Sequence, residues 1–149
     1  MRRLEDKVLV KKNYCPKCIN DAVNISWKLE VLDVDDKQPE PVEYWLPNIE
    51  CPDCGTSSAF EAVSAMHDAA CFAQRLVTPE QIKSTRKKYN MNTKAFADLT
   101  GISETTIKRW ESRAYFPNKS DSTLIQLVQL HGPDLIYDLR ADNIVQSED

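Results

Sequence analysis

Four cysteines are the residues whose type and spacing point most directly to chemistry. They form two pairs, Cys15/Cys18 and Cys51/Cys54, with two residues inside each pair and 32 residues between the pairs. Two intervening residues let both thiolates of a pair reach one ion, and two pairs supply the four sulfurs of a tetrahedral zinc site. Gly55, directly after the second pair, permits the tight turn of such a knuckle. The spacing therefore predicts bound Zn²⁺, with two disulfides or ordinary buried thiols as the alternative.

The number of cysteine ligands and the rest of the sequence indicate the role of this zinc and the compartment of the protein. A catalytic zinc keeps a position for water, so four thiolates predict one structural ion per chain. Residues 1–7 contain two arginines with no apolar segment behind them, and no apolar run approaches the ~20 residues of a membrane span. We therefore expect no signal peptide, no membrane association and a cytoplasmic location, where reducing conditions favour metal over disulfides. Cys71 is interpreted as a buried thiol.

A second pattern spans residues 95–111. Gly101 predicts a left-handed end to one helix, and Ser103 predicts the cap of the next. Ile107 and Trp110 are three residues apart and should face the core, which turns Arg109 outward near the end that a recognition helix presents to DNA bases. We expect base contacts from the outward side chains and phosphate contacts from two flanking cations. The candidate DNA-binding residues are Lys94, Ser103, Thr105, Thr106, Arg109 and Arg113.

The net charge of −4 conceals a strong asymmetry along the chain. Residues 78–119 carry nine basic and four acidic side chains, a net charge of +5, whereas residues 1–77 and 120–149 carry −4 and −5. Because a phosphate backbone responds to local charge, the central block favours a nucleic-acid partner. A small helical bundle with a solvated polar face is the alternative for the same block.

The elements that would position the cysteines are a hairpin and a helix. Residues 22–31 alternate between apolar and polar, with Val23, Ile25, Trp27, Leu29 and Val31 on one face, which predicts a half-buried strand. A polar loop over residues 35–41 and renewed alternation from Val42 complete a hairpin that brings the two cysteine pairs together. Apolar residues then recur every three or four positions, which predicts a helix over residues 58–77. Its predicted apolar face is Ala59, Val63, Met66, Ala70, Ala73 and Val77.

A run of capped helices follows. Thr78, Pro79 and Gln81 predict a capping box that opens a helix ending near Lys88. Further helices are expected over residues 93–101, 103–112, 122–131 and 134–140. The prediction is an α+β chain: a zinc-bound β-hairpin module at residues 1–57, a helical connector at 58–77, an all-α helix-turn-helix domain at 78–140, and a flexible acidic tail at 141–149.

From about Cys15 to Leu130, this layout resembles the MqsA family of antitoxins, whose helix-turn-helix is of the lambda-repressor or xenobiotic-response type. The cysteine pairs correspond to the family's zinc knuckles, and Arg109-Trp110-Glu111 to the Arg-aromatic-Glu of its recognition helix. The resemblance implies a helical part that dimerises and represses its own operon by binding a palindrome. It also implies a zinc part that holds a toxin protein, commonly a ribonuclease.

The chain departs from that family in several places. Thr105 stands where the family often has Asn, so the operator sequence should differ. Residues 113–116 occupy a loop where a glycine is common, and fourteen residues precede the first knuckle. These departures bear on which toxin and which operator the chain binds.

Three further function classes compete with an antitoxin. The first is a stand-alone transcriptional regulator of phage or mobile-element type, whose zinc module supports the fold. An enzyme is disfavoured because the sequence offers two histidines and no nucleophile motif. An RNA-binding zinc ribbon would need stacking aromatics on a basic surface, whereas Trp27, Tyr44 and Trp45 lie in an acidic part. That acidity favours the antitoxin, since toxins that bind RNA are basic.

Overall fold

A computed structural model of the chain describes residues 1–10, 14–19, 22–33, 40–59 and 61–147. The chain divides into two compact units, Met1–Gln74 and Arg75–Asp149. The described part of the first unit holds a small sheet and one helix, and that of the second holds five helices. The α+β architecture expected from the sequence is confirmed. None of the helices in the described ranges combines the length and apolar character of a membrane span.

The first unit is built on a β-hairpin. Strands β2 (Asn24–Leu32) and β3 (Val42–Glu50) pair antiparallel, from Asn24 opposite Glu50 to Leu32 opposite Val42. Strand β1 (Arg2–Arg3) pairs parallel with β3, and β4 (Ser57–Ala59) pairs with it antiparallel. The predicted hairpin is confirmed, while most of the predicted loop at 35–41 lies outside the described residues. The sheet order leaves β2 at an edge.

The face of β2 that the alternation assigned to the core is mostly on the surface. Ile25, Leu29 and Val31 are exposed, so that expectation was wrong for them, although Trp27 is partly buried. Directly opposed residues on paired strands share a face. The face that carries Val42 and Tyr44 is covered instead, because helix α1 (Ala62–Ala73) packs there.

Helix α1 differs from the predicted connector in bounds, burial and position. It begins after a strand rather than at residue 58, and it packs within the first unit. Val63, expected on the buried face, is 83% exposed, whereas Ala65 and Ala69 are buried against the sheet. Alanine side chains allow a helix to approach a sheet closely, which a count of large apolar residues does not capture. Cys71 is fully buried on this helix, as expected.

The N-terminal segment is part of the same unit. Leu4 and Val8 are buried in its core. The Nζ atom of Lys7 lies 5.2 Å from the ring centroid of Trp27 and 5.1 Å from that of Trp45, distances typical of cation–π contacts. These contacts give the residues before the first knuckle a structural role that no sequence pattern indicated.

Arg2 ties this segment to the end of α1. Its Nη2 donates a hydrogen bond to the carbonyl oxygen of Phe72 at 3.0 Å, and its guanidinium lies 4.3 Å from the Phe72 ring centroid. A cation at this end of a helix interacts favourably with the helix dipole.

The second unit contains α2 (Pro79–Lys88), α3 (Thr93–Thr100), α4 (Glu104–Glu111), α5 (Lys119–His131) and α6 (Asp134–Ser147). The predicted capping box is confirmed: Thr78 Oγ1 accepts from Gln81 N at 3.2 Å, and Gln81 Oε1 accepts from Thr78 N at 3.0 Å. The core of this unit draws on every one of these helices. Its buried members are Val77, Ile82, Phe96, Ala97, Leu99, Ile102, Ile107, Trp110, Ile125, Val128 and Ile136.

Two boundaries in this unit differ from those expected. Helix α5 begins before Ser122, because Asn118 caps it by accepting a hydrogen bond from Asp121 N at 2.8 Å. Helix α6 continues into the segment assigned to a flexible tail, and no glycine or proline follows Pro133 to end it. Residues 148–149 of that tail lie outside the described residues.

A buried ion pair joins α2 to α4. Arg86 Nη2 and Nε donate to Glu111 Oε1 at 2.9 and 3.1 Å, and the Glu111 side chain is buried. Charge-assisted bonds from one guanidinium fork define orientation as well as distance. The pair therefore sets how α4 lies against the rest of the unit.

Replacing Glu111 should destabilise the second unit strongly. Glu111→Ala leaves the largely buried Arg86 guanidinium without its carboxylate, so we expect the free energy of unfolding to fall by about 3 kcal/mol. Urea denaturation followed by circular dichroism measures this. Lys83→Ala is the control, because it breaks only a surface pair with Glu80 at 3.9 Å and should change stability by less than about 1 kcal/mol. Equal losses in the two variants would contradict the assigned role.

Candidate functional site

The four cysteine sulfurs of the two knuckles converge. All four lie within 4.8 Å of one another, with Cys15 Sγ 3.6 Å from Cys54 Sγ and Cys18 Sγ 3.5 Å from Cys51 Sγ. Sulfurs placed tetrahedrally at a zinc–sulfur distance of about 2.3 Å would be about 3.8 Å apart. Each close approach joins one knuckle to the other. The four cysteines are therefore positioned to bind a metal ion, and their geometry is compatible with zinc.

Matching backbone turns shape the two knuckles. Ile19 N donates to Cys15 O at 2.9 Å, and Gly55 N donates to Cys51 O at 3.0 Å. Both donor residues have positive φ, 60° at Ile19 and 71° at Gly55. The turn expected at Gly55 is confirmed. Its counterpart is made by a β-branched residue, for which this backbone conformation is strained.

Hydrogen bonds around the sulfurs favour the thiolate form. Thr56 Oγ1 lies 3.0 Å from Cys54 Sγ, and hydrogen bonds from this hydroxyl and from the Thr56 backbone lower the pKa of Cys54 to about 6. A backbone hydrogen bond from Cys18 lowers the pKa of Cys15. A lower thiol pKa favours metal binding, because the proton then competes less with a metal ion for the sulfur. Thr56 was not predicted from the sequence, where its only signal is a hydroxyl two residues after Cys54.

Helix α4 is oriented by the residues on either side of it. Helix α3 ends at Gly101, where φ is 77° as expected, and Ser103 Oγ caps α4 by accepting from Thr106 N at 3.1 Å. Ile107 and Trp110 are buried, which confirms the expected inner face of the helix. The outer face consequently carries polar side chains.

The candidate DNA-binding residues differ in their surroundings. Lys94, Ser103, Thr105 and Arg109 are exposed, and Thr106 is half-buried. The Arg113 side chain is only 18% exposed, with its Nη2 atom 3.9 Å from Glu80 Oε1.

The structure places Tyr115 beside Arg109, one of the candidate DNA-binding residues. The guanidinium carbon of Arg109 lies 5.4 Å from the Tyr115 ring centroid, and the ring is exposed in the loop after α4. No sequence pattern marked Tyr115, which lies in the loop of residues 113–116 that departs from the family pattern.

The two knuckle turns lead to opposite expectations for substitution. Ile19 is 76% exposed, so Ile19→Gly should lose little packing, relieve the left-handed strain and stabilise the metal-loaded first unit by about 1 kcal/mol. Gly55→Ala should destabilise it by a similar amount through the backbone alone, since an added Cβ meets nothing within 4 Å. Thermal unfolding of both variants, saturated with metal, measures the difference. A lower melting temperature for Ile19→Gly would contradict the strained turn.

Comparison with known proteins identifies one curated relative. No family model matches the chain. The chain is 38% identical over 61 residues to antitoxin HigA-2 of Vibrio cholerae serotype O1, an alignment that covers 41% of this chain and 59% of the relative. The chain thus spans about three fifths of the length of the relative it matches. This similarity supports an antitoxin, while the finer resemblance to the MqsA family stays a prediction.

Proposed function

We propose that this chain is the antitoxin of a toxin–antitoxin system, which neutralises a toxin protein and represses its own operon by binding palindromic DNA. The observation that carries the proposal is the similarity to antitoxin HigA-2. The proposal assigns DNA binding to the second unit, metal binding to the first, and no catalytic step to either. The chain acts in the cytoplasm, where its cysteines stay reduced.

The outer face of α4 supports DNA binding. Exposed Thr105 and Arg109 lie on a helix whose opposite side is anchored by buried Ile107 and Trp110, so the polar face is held in one orientation. An arginine fork matches the paired acceptors of guanine in the major groove. We assign base reading to Arg109, with Ser103, Thr105 and Thr106 beside it.

The basic side chains near α4 differ in whether they are free of ion pairs and so available to bind phosphate. Four basic side chains of residues 78–119 are engaged in ion pairs: Lys83, Arg86, Lys108 and Arg113. Exposed Lys94, by contrast, makes no ion pair within 4.0 Å among the described residues. We therefore assign a phosphate contact to Lys94, and place Arg113 near phosphate only if it leaves Glu80.

A two-fold dimer through the helical unit completes the proposal for DNA. One copy of α4 reads only a few base pairs, whereas two copies about 34 Å apart read both halves of a palindrome. Exposed apolar side chains on α5 and α6 support association through these helices. They are Leu127, Leu130, Leu135, Tyr137 and Leu139.

The metal of the first unit is assigned as one structural Zn²⁺ held by Cys15, Cys18, Cys51 and Cys54. The four-sulfur donor set and its spacing support this assignment. All four ligand positions belong to the chain, so the ion would tie the ends of the hairpin together rather than bind a substrate.

Loss of one ligand should unfold the first unit alone. Because metal affinity is folding energy in so small a module, Cys51→Ser should lose its zinc and its protection from amide hydrogen exchange over the first unit. The second unit has a separate core and should keep its protection. Elemental analysis and regional hydrogen exchange test this on the full chain. Wild-type protein that is purified without chelator and contains no metal would overturn the zinc assignment.

We assign toxin binding to the first unit. Residues 1–77 carry a net charge of −4, which complements the basic surface of a toxin that acts on RNA. The ordered N-terminal segment and the hairpin supply the surface.

Capture of the neighbouring gene product tests the toxin assignment. We expect the tagged full chain to co-purify with the small protein encoded beside it. Cys51→Ser should lose that protein and Arg109→Ala should retain it, because only the first variant damages the first unit. Capture by Cys51→Ser but not by Arg109→Ala would reverse the assignment. Failure of every form to bind would favour the stand-alone regulator.

Two substitutions separate base reading from phosphate binding. Arg109→Ala should cost about 1–3 kcal/mol of preference for the operator over a scrambled duplex, since a bidentate guanine contact is lost. Lys94→Ala should weaken binding to both duplexes alike. Titrations on both duplexes at fixed salt measure the two effects. An equal loss on both duplexes for Arg109→Ala would show that α4 is misassigned as the reading helix.

A further inference from the structure

A cleft of about 270 Å³ lies where α4 meets the loop that follows it. Two of its walls are aromatic side chains that stand out at the surface, Tyr115 at 59% exposure and Phe116 at 50%. Buried Trp110 contributes to its lining. Adjacent exposed aromatic side chains beside a polar helix face are typical of a binding surface.

We propose that this cleft receives the 5-methyl group of a thymine in the major groove, close to the guanine that Arg109 contacts. The inference rests on the proposed DNA binding and extends it to a second base. It makes Tyr115, with Phe116 beside it, a specificity-determining residue.

The distance between Arg109 and Tyr115 locates the thymine. The Arg109 guanidinium carbon lies 5.4 Å from the Tyr115 ring centroid, and bases along a strand of DNA are spaced by about 3.4 Å. A base that touches the ring therefore lies within two base steps of the guanine. Thymine is the base that presents a methyl group in the major groove, and aromatic side chains contact that methyl.

Two polar side chains of the cleft, Asn118 and Thr106, already have hydrogen-bond partners within the chain, and with Arg109 assigned to the guanine they favour an apolar occupant. Asn118 donates through Nδ2 to Asp121 Oδ2 and accepts through Oδ1 from Asp121 N, both at 2.8 Å. Thr106 Oγ1 lies 2.6 Å from Ser103 Oγ. A polar small molecule would have to compete with these bonds, whereas a methyl group needs none of them.

The surrounding charge favours DNA as the source of that methyl. Arg109 lines the cleft, and exposed Lys119 follows directly after Asn118. A phosphate backbone complements Lys119 while Arg109 contacts the guanine and the neighbouring base edge enters the cleft.

Deoxyuridine substitution tests the proposal, because it removes only the methyl group. A binding duplex is first selected from a random pool with the full-length protein, and each thymine is then replaced in turn. We expect one position in each half-site, within two base steps of the guanine identified by Arg109→Ala, to lose about three- to five-fold in affinity. Tyr115→Ala should bind the thymine and deoxyuridine duplexes equally.

Two variants control for indirect effects. Tyr115→Phe keeps the ring and should restore the thymine preference. Lys94→Ala should weaken binding to both duplexes and keep their ratio. Absence of any sensitive thymine, or an undiminished preference in both Tyr115→Ala and Phe116→Ala, would overturn the proposal while leaving DNA binding intact. A selection that enriches no sequence would overturn both.

Discussion

The convergence of four cysteine sulfurs within 4.8 Å is the constraint on which the first unit depends. Four thiolates at such distances repel one another unless a cation lies between them, and a divalent ion offsets that repulsion while joining the two knuckles. The apolar core of the unit is small, with Leu4, Val8, Val42, Tyr44 and Ile49 as its larger buried members. A core of this size supplies limited folding energy, so a metal ion held by the four cysteines would contribute to the stability of the fold itself.

The second unit is stabilised by a larger apolar core and a buried ion pair. Its core is continuous across five helices, and the bonds from Arg86 to Glu111 set the position of α4. Local caps, such as Ser103 at the start of α4, fix where the helix begins. The base reading proposed for α4 would need this rigidity, because contacts to base edges depend on placement to within a fraction of an ångström.

Features set by neighbouring residues were predictable from the sequence. The turn at Gly55, the capping box at Thr78 and the turn at Gly101 each depend on a few side chains and local backbone geometry. The convergence of the two knuckles was predictable for another reason, because the predicted hairpin brings the two cysteine pairs together. The exposed face of β2 was not predictable, because α1 covers the other face and that choice depends on distant packing. Contacts of Lys7 with the tryptophan rings, and of Tyr115 with Arg109, likewise join residues whose separation along the chain carries no periodic signal.

Each unit closes its own core, with the described core residues of the first ending by Ala73 and those of the second beginning at Val77. A genetic crossover near residue 75 would therefore cut neither core. The protein-binding and DNA-binding specificities proposed for the two halves can diverge at separate rates, and a half inherited from one ancestor can function beside a half from another. The short segment between the cores is thus a position at which recombination would exchange one unit while leaving both folds intact.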